Sequence, residues 1–170
     1  MKLEIHSKKH GIKTIFIDDE DYEKINKYTW HVNINHSGIL YAEASVYNKT
    51  GIKIIRMHRL IMNAQKGQII DHKNRNGLDN RKENLRICKH AENMRNSKIS
   101  KNNSTGFKGV TIFTCKNKDK IYKYIIAQIR VNNKKKYIGS FATVKKAHEA
   151  YCLAADKYHK EFANYGIDNI

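Results

Sequence analysis

Apolar residues recur along this chain in two rhythms, separated by a stretch that follows neither. Over residues 12–17 (IKTIFI), then through TWHVNI, GILYAEASVY and IKIIRM, β-branched and aromatic residues alternate with polar ones, a period of two that predicts strands. Asn48-Lys49-Thr50-Gly51 supplies a hairpin turn between the last two. The run Asp18-Asp19-Glu20-Asp21 is placed to open an amphipathic helix carrying Tyr22, Ile25 and Tyr28, with the acids at its N-terminus. Residues 1–57 therefore form a small β-rich unit.

The same period returns after a polar connector, KISKNNS, at residues 98–104. Strands are expected over Phe107–Cys115, Ile121–Val131 and Lys135–Phe141. Thr143 then caps a helix whose Ala147, Ala150, Tyr151, Ala154, Ala155 and Tyr158 fall at helical spacing. In the middle strand Ile125, Ala127, Ile129 and Val131 lie on the face that covers the helix. Tyr124, Ile126, Gln128 and Arg130 lie on the other. The fold class is α+β, ending in a three-stranded antiparallel sheet packed on one helix over residues 105–170.

Between the two rhythms, residues 58–97 carry chemistry rather than periodicity. Ile69-Ile70 delivers Asp71 and His72 side by side; a loop with Asn74, Asn76, Gly77, Asp79 and Asn80 follows. Asn84-Leu85-Arg86-Ile87-Cys88 returns as a strand, and a short helix holds Asn93. A carboxylate beside an imidazole, with an amide on the next element, combines a hard metal ligand, a general base and a second oxygen ligand. Those are the parts needed to cleave a phosphodiester. The Asx residues around Gly77 are what a tight loop requires. His58, in MHRLIM, is placed to contact DNA or to support the site, and packing or support is the preferred expectation.

Charge narrows the partner. The 170 residues carry 33 Lys and Arg against 16 Asp and Glu, a net +17, distributed as +2 over residues 1–57, +5 over 58–97 and +10 over 98–170. Such an excess points to a polyanion, and double-stranded DNA is the leading partner. No apolar run is long enough to span a bilayer and no signal peptide opens the chain, so no membrane role is expected and the protein reads as intracellular. Cys88, Cys115 and Cys152 are too far apart for a zinc knuckle or a disulfide framework.

The Asp71-His72 pair, the Asn before Leu85-Arg86 and the helical Asn93 together resemble the HNH nucleases, in the phage and intron-encoded homing branch. The resemblance implies a ββα-metal unit over residues 58–97, with Asp71 and Asn93 as metal ligands, His72 as general base and Asn84 bracing the catalytic loop. Oxygen ligands imply Mg²⁺ or Mn²⁺. Arg75 and Arg86 are placed to grip DNA phosphates. The heavy use of Lys, Ile and Asn suits a phage gene expressed in the cytoplasm of a host bacterium.

The stretches STGFKGV, AQIRVNNKKKYIGSF and TVKKAHEAYCLAADKYHKEFANYG resemble the Apetala/ethylene-response-factor DNA-binding domain. That resemblance maps DNA contacts onto Lys108, Thr111, Phe113, Gln128, Arg130, Lys135 and Tyr137. Several arginines of the plant domains are replaced here, so the plant target sequence does not carry over. The expectation is a site-specific homing endonuclease, monomeric or dimerised by DNA, nicking one strand or cutting both. The alternatives are a non-catalytic DNA-binding regulator and, last, an RNA-binding accessory protein.

Overall fold

In the computed structural model, which describes residues 1–49 and 51–166, the chain divides into two units, Met1–His90 and Ala91–Ile170. Both are mixtures of strand and helix, so the class is α+β. No helix among the described residues is long and apolar enough to cross a membrane.

The first unit opens on a hairpin. β1 (Lys2–Ser7) pairs antiparallel with β2 (Gly11–Phe16), from Lys2 opposite Phe16 to Ser7 opposite Gly11. β1 is an addition to the expected strands; its Leu3 and Ile5 turn inward onto the core. The acidic run that follows makes a 3₁₀ turn, Asp19–Asp21, and then only one α-helical turn, α1 (Tyr22–Ile25). None of its carboxylates caps that helix. Asp18 accepts from the backbone N–H of Lys82 at 2.7 Å, Asp19 from the N-terminal amine at 2.7 Å, and Asp21 lies 3.2 Å from the Lys82 ammonium. Longer-range donors took the acids that local chemistry would have assigned to the helix end.

β3 (Trp30–Ile34), β4 (Leu40–Asn48) and β5 (Gly51–Arg56) form an antiparallel meander in that order. Of the expected turn between the last two, Thr50 lies outside the described residues. α2 (Met57–Ile61) follows, with Met57 and Ile61 four apart and both buried. β6 (Ile69–His72) and β7 (Leu85–Cys88) make an antiparallel ribbon, and α3 (His90–Arg95) comes next.

One hydrophobic core serves this unit. Ile15, Ile17, Ile25, Val32 and Ala42 from the first 57 residues pack with Met57, Ile61, Ile70, Leu78 and Leu85. Burying each large aliphatic side chain is favourable by about 1.5–3 kcal/mol. The ribbon and the sheets before it are thereby bound to one another.

The second unit is a sheet in the order β10-β9-β8, formed by β8 (Val110–Asn117), β9 (Lys120–Val131) and β10 (Lys134–Phe141), with α4 (Val144–His159) on one face. Asn132 and Asn133, both at positive φ, make the two-residue turn between β9 and β10, where a type I′ geometry suits asparagine. Thr143 Oγ1 accepts from the Lys146 N–H at 3.2 Å and caps α4. Ala147, Tyr151 and Ala155 line the buried face of α4, opposite Val110, Ala127 and Ile129. Gly109 must be glycine: at φ +77°, a Cβ would sit 1.9 Å from the Tyr151 ring.

Candidate active site

β6 presents Asp71 and His72, and both are buried. The ribbon sets Asp71 opposite Arg86, whose guanidinium donates from Nε (2.8 Å) and Nη2 (2.7 Å) to Asp71 Oδ2. Arg86, assigned to phosphate gripping from sequence, is thus engaged with the neighbouring carboxylate. A paired, buried charge of this kind costs little only while both partners remain.

The loop between β6 and β7 is held at almost every residue. Asn76 N–H donates to Asn74 Oδ1 at 2.9 Å and Leu78 N–H to Asn76 Oδ1 at 3.1 Å, the short-range pattern that makes Asx residues turn formers. Asp79 receives Arg81 through two contacts of 2.8 Å and Asn74 Nδ2 at 2.8 Å. The Arg81 hydrogen bonds hold its carboxyl below the usual carboxylate range against the opposing effect of burial. Asn84 spans the loop: its Nδ2 donates to the Asp79 carbonyl at 2.7 Å, and its Oδ1 accepts from the Asn74 N–H at 3.0 Å. Arg75, half-buried at φ +63°, turns the chain directly after the pair, its N–H donating to the His72 carbonyl.

The N-terminal strands support this loop from far away in the chain. Phe16 N–H donates to the Leu78 carbonyl at 2.9 Å and the Asn80 N–H returns to the Phe16 carbonyl at 2.7 Å, a parallel bridge from the end of β2. Gly77 lies against β4 so closely that a Cβ would stand 2.3 Å from the Leu40 carbonyl oxygen and 2.7 Å from the Tyr41 ring.

Around His72 stand aromatic rings from two other elements. His58 of α2 meets it edge to face with ring centroids 5.0 Å apart, and Tyr41 of β4 lies 5.7 Å from His72 and 5.5 Å from His58. Burial pushes the His72 imidazole below its ordinary value, opposed by the Asn80 side chain and the Asp71 and Asp79 carboxylates. Burial, the neighbouring His72, and Arg56 and Arg59 push His58 down to about 3. A neutral imidazole at pH 7 can accept a proton. From sequence, His58 is expected to pack or to support the site, ahead of contacting DNA. Tyr41 carried no signal, since its place beside His72 depends on the sheet and not on chain proximity.

Asn93 lies half-buried on α3, as the third residue of the second unit. The donors proposed for a metal are one carboxylate and one amide oxygen, a hard set suited to a hard divalent cation. Among the described residues no group of three His, Cys, Asp or Glu side chains gathers into a metal-binding cluster.

In the second unit, six residues assigned to DNA lie on the sheet face turned away from α4. Direct cross-strand neighbours point to the same side, and the register pairs Thr111 with Ile126, Phe113 with Tyr124, Gln128 with Tyr137 and Arg130 with Lys135. Thr111, Phe113, Arg130, Lys135 and Tyr137 are exposed, and Gln128 donates to Thr111 Oγ1 at 3.0 Å. Lys108 differs: its ammonium donates to the carbonyls of Arg95 and Ser97, each at 2.7 Å.

Residues 56–95, 40 of the 170, match the family model of the HNH endonucleases. The match covers β6, the loop, β7 and α3, and supports a nuclease that acts on DNA and hydrolyses phosphodiester bonds. No curated protein and no solved structure matches the chain.

Proposed function

We propose that the protein is a site-specific DNA endonuclease of the phage homing type, monomeric or dimerised on its target, with a ββα-metal nuclease unit and an Apetala/ethylene-response-factor-like module that reads the site. The observation that carries this reading is the Asp71-His72 pair, buried on a two-stranded ribbon inside the segment that matches the HNH endonucleases.

His72 acts as the general base, taking a proton from the attacking water; its lowered pKa keeps it neutral for that task. Asn84 holds the loop that follows His72, so that the imidazole is presented in one orientation. Asp71 and Asn93 would hold Mg²⁺ or Mn²⁺. When bound, that ion stabilises the negative charge that develops on the phosphate and on the leaving 3′ oxygen. Arg75 holds a flanking phosphate, and Arg86 orients the Asp71 carboxylate through its two hydrogen bonds. On the sheet, Arg130 and Gln128 present guanine- and adenine-reading groups, and Phe113, Tyr137, Thr111 and Lys135 complete the DNA face.

One observation favours the second reading, a DNA-binding regulator without nuclease activity: the carboxylate that would ligate the metal already accepts two hydrogen bonds from Arg86. Incubating the wild-type protein and His72→Ala with phage and host genomic DNA plus Mg²⁺ or Mn²⁺, then mapping new ends, separates the two. Discrete wild-type ends that vanish with His72→Ala support the nuclease; tight binding with no new ends under either metal supports the regulator.

A further inference from the structure

The nuclease helix α3 ends where three distant parts of the second unit converge. The Lys108 ammonium has three donors, and three acceptors surround it: the Arg95 carbonyl at 2.7 Å, the Ser97 carbonyl at 2.7 Å and Asn164 Oδ1 at 3.2 Å. The last carbonyls of a helix have no partner within it, so a lysine that donates to them closes the helix end. Asn164 adds Nδ2 to Asn96 Oδ1 at 3.2 Å, and Asn96 is itself buried. A side chain at Gly166 would collide with Ile99 and with Lys108, so the tail lies flat across the junction.

The same residues reach into the body of the sheet-and-helix module. His148 Nδ1 of α4 lies 3.1 Å from the Lys108 carbonyl, and Tyr151 of α4 donates to the Asn164 carbonyl at 3.4 Å. Val110, two residues after Lys108, begins β8 in the core beneath the sheet. The chain from Arg95 to Ser97 is therefore bonded to the loop before β8, to the tail after α4, and through them to α4.

We infer that Lys108 and Asn164 are positioning residues that fasten α3, and with it Asn93, to the sheet module, so that the reading face and this ligand move as one body. The inference rests on the nuclease reading for its consequence, a scissile bond at a constant offset from the sequence read. It reassigns Lys108, to which the Apetala/ethylene-response-factor resemblance gives a DNA contact, to an intramolecular role. Loss of a lysine that serves a phosphate would instead lower the salt dependence of binding.

The test compares wild type, Lys108→Met and Asn164→Ala as full-length proteins, with hydrogen exchange and DNA affinity measured alongside cleavage. The expected result is exchange at the Asn96 and Ser97 amides at least tenfold faster in both variants, with Ala127 and Ile129 unchanged as evidence of an intact module. DNA affinity should stay within twofold and its salt slope should not change, whereas cleavage should slow at least tenfold and scatter around its usual position. Unchanged exchange at Asn96 and Ser97 overturns the inference. So does a loss of affinity in Lys108→Met with a salt slope lower by about one, which marks a phosphate contact. If the wild type cuts nothing, the nuclease reading fails, and exchange still decides whether the clamp exists.

Discussion

The loop after His72 and the sheet after Lys108 are both polar, basic stretches, yet they are held in opposite ways. The loop from Lys73 to Asn84 has little regular structure and is fixed by side chains: Asn74, Asn76, Asp79 and Asn84 bond one another, while Phe16 and the backbone at Leu40 close in from strands far away in sequence. The sheet is fixed by its ladders and by one helix, leaving Phe113, Arg130 and Tyr137 exposed. A site that must hold reacting groups needs each polar atom restrained. In the proposed function the sheet meets a long polyanion, and a stiff frame with projecting side chains suits that role.

Substitutions in the two regions test this contrast. The largest effect is expected at His72→Ala, which should slow cutting about 10²- to 10⁴-fold with little change in DNA affinity, measured as end formation against filter binding or anisotropy. Equal loss of binding would mean that the imidazole serves DNA contact and not proton transfer. Gly77→Ala should destabilise the first unit by about 3 kcal/mol, because the new methyl meets backbone at Leu40; denaturant unfolding checks this.

Acid should act on the first unit through His58. The unfolded imidazole binds a proton below about pH 6.5, whereas the folded one resists until about 3, so stability is complete above 6.5 and falls as pH drops toward 3. The loss at pH 5 should be about 2 kcal/mol and should shrink in His58→Gln, as thermal melts across pH would report. The smallest effect is expected on the sheet: Arg130→Ala should leave the melt unchanged and lower the salt slope of DNA binding by about one or relax sequence preference at one position.

How far each region could be read from sequence follows the same contrast. In the second unit, alternation in IIAQIRV placed Ala127 and Ile129 beneath the helix, and the spacing of Ala147, Tyr151 and Ala155 placed the helix above them; both hold. Thr143 caps α4 as its position suggests. Each inference needed only neighbours within a few residues. In the first unit, the four acids before Tyr22 suited a helix start by local rules, but Lys82 and the N-terminal amine claimed them. β1, beginning at the second residue, was missed because its few apolar residues sit among charges and gain their partner only when β2 folds back.

The sequence by itself determined the chemistry available and the periodic frame: Asp71 next to His72, Asn residues around Gly77, and a basic sheet with one apolar face, all properties of residue type and short spacing. Tertiary structure decided how that chemistry is held. It brought Tyr41 and His58 to the His72 ring, bound Arg86 to Asp71, set β2 against the loop at Leu78 and Asn80, and drew Lys108 to the end of α3. Those contacts join residues from 13 to 64 positions apart, so they exist only once the core has brought their elements together, and no local pattern encodes them.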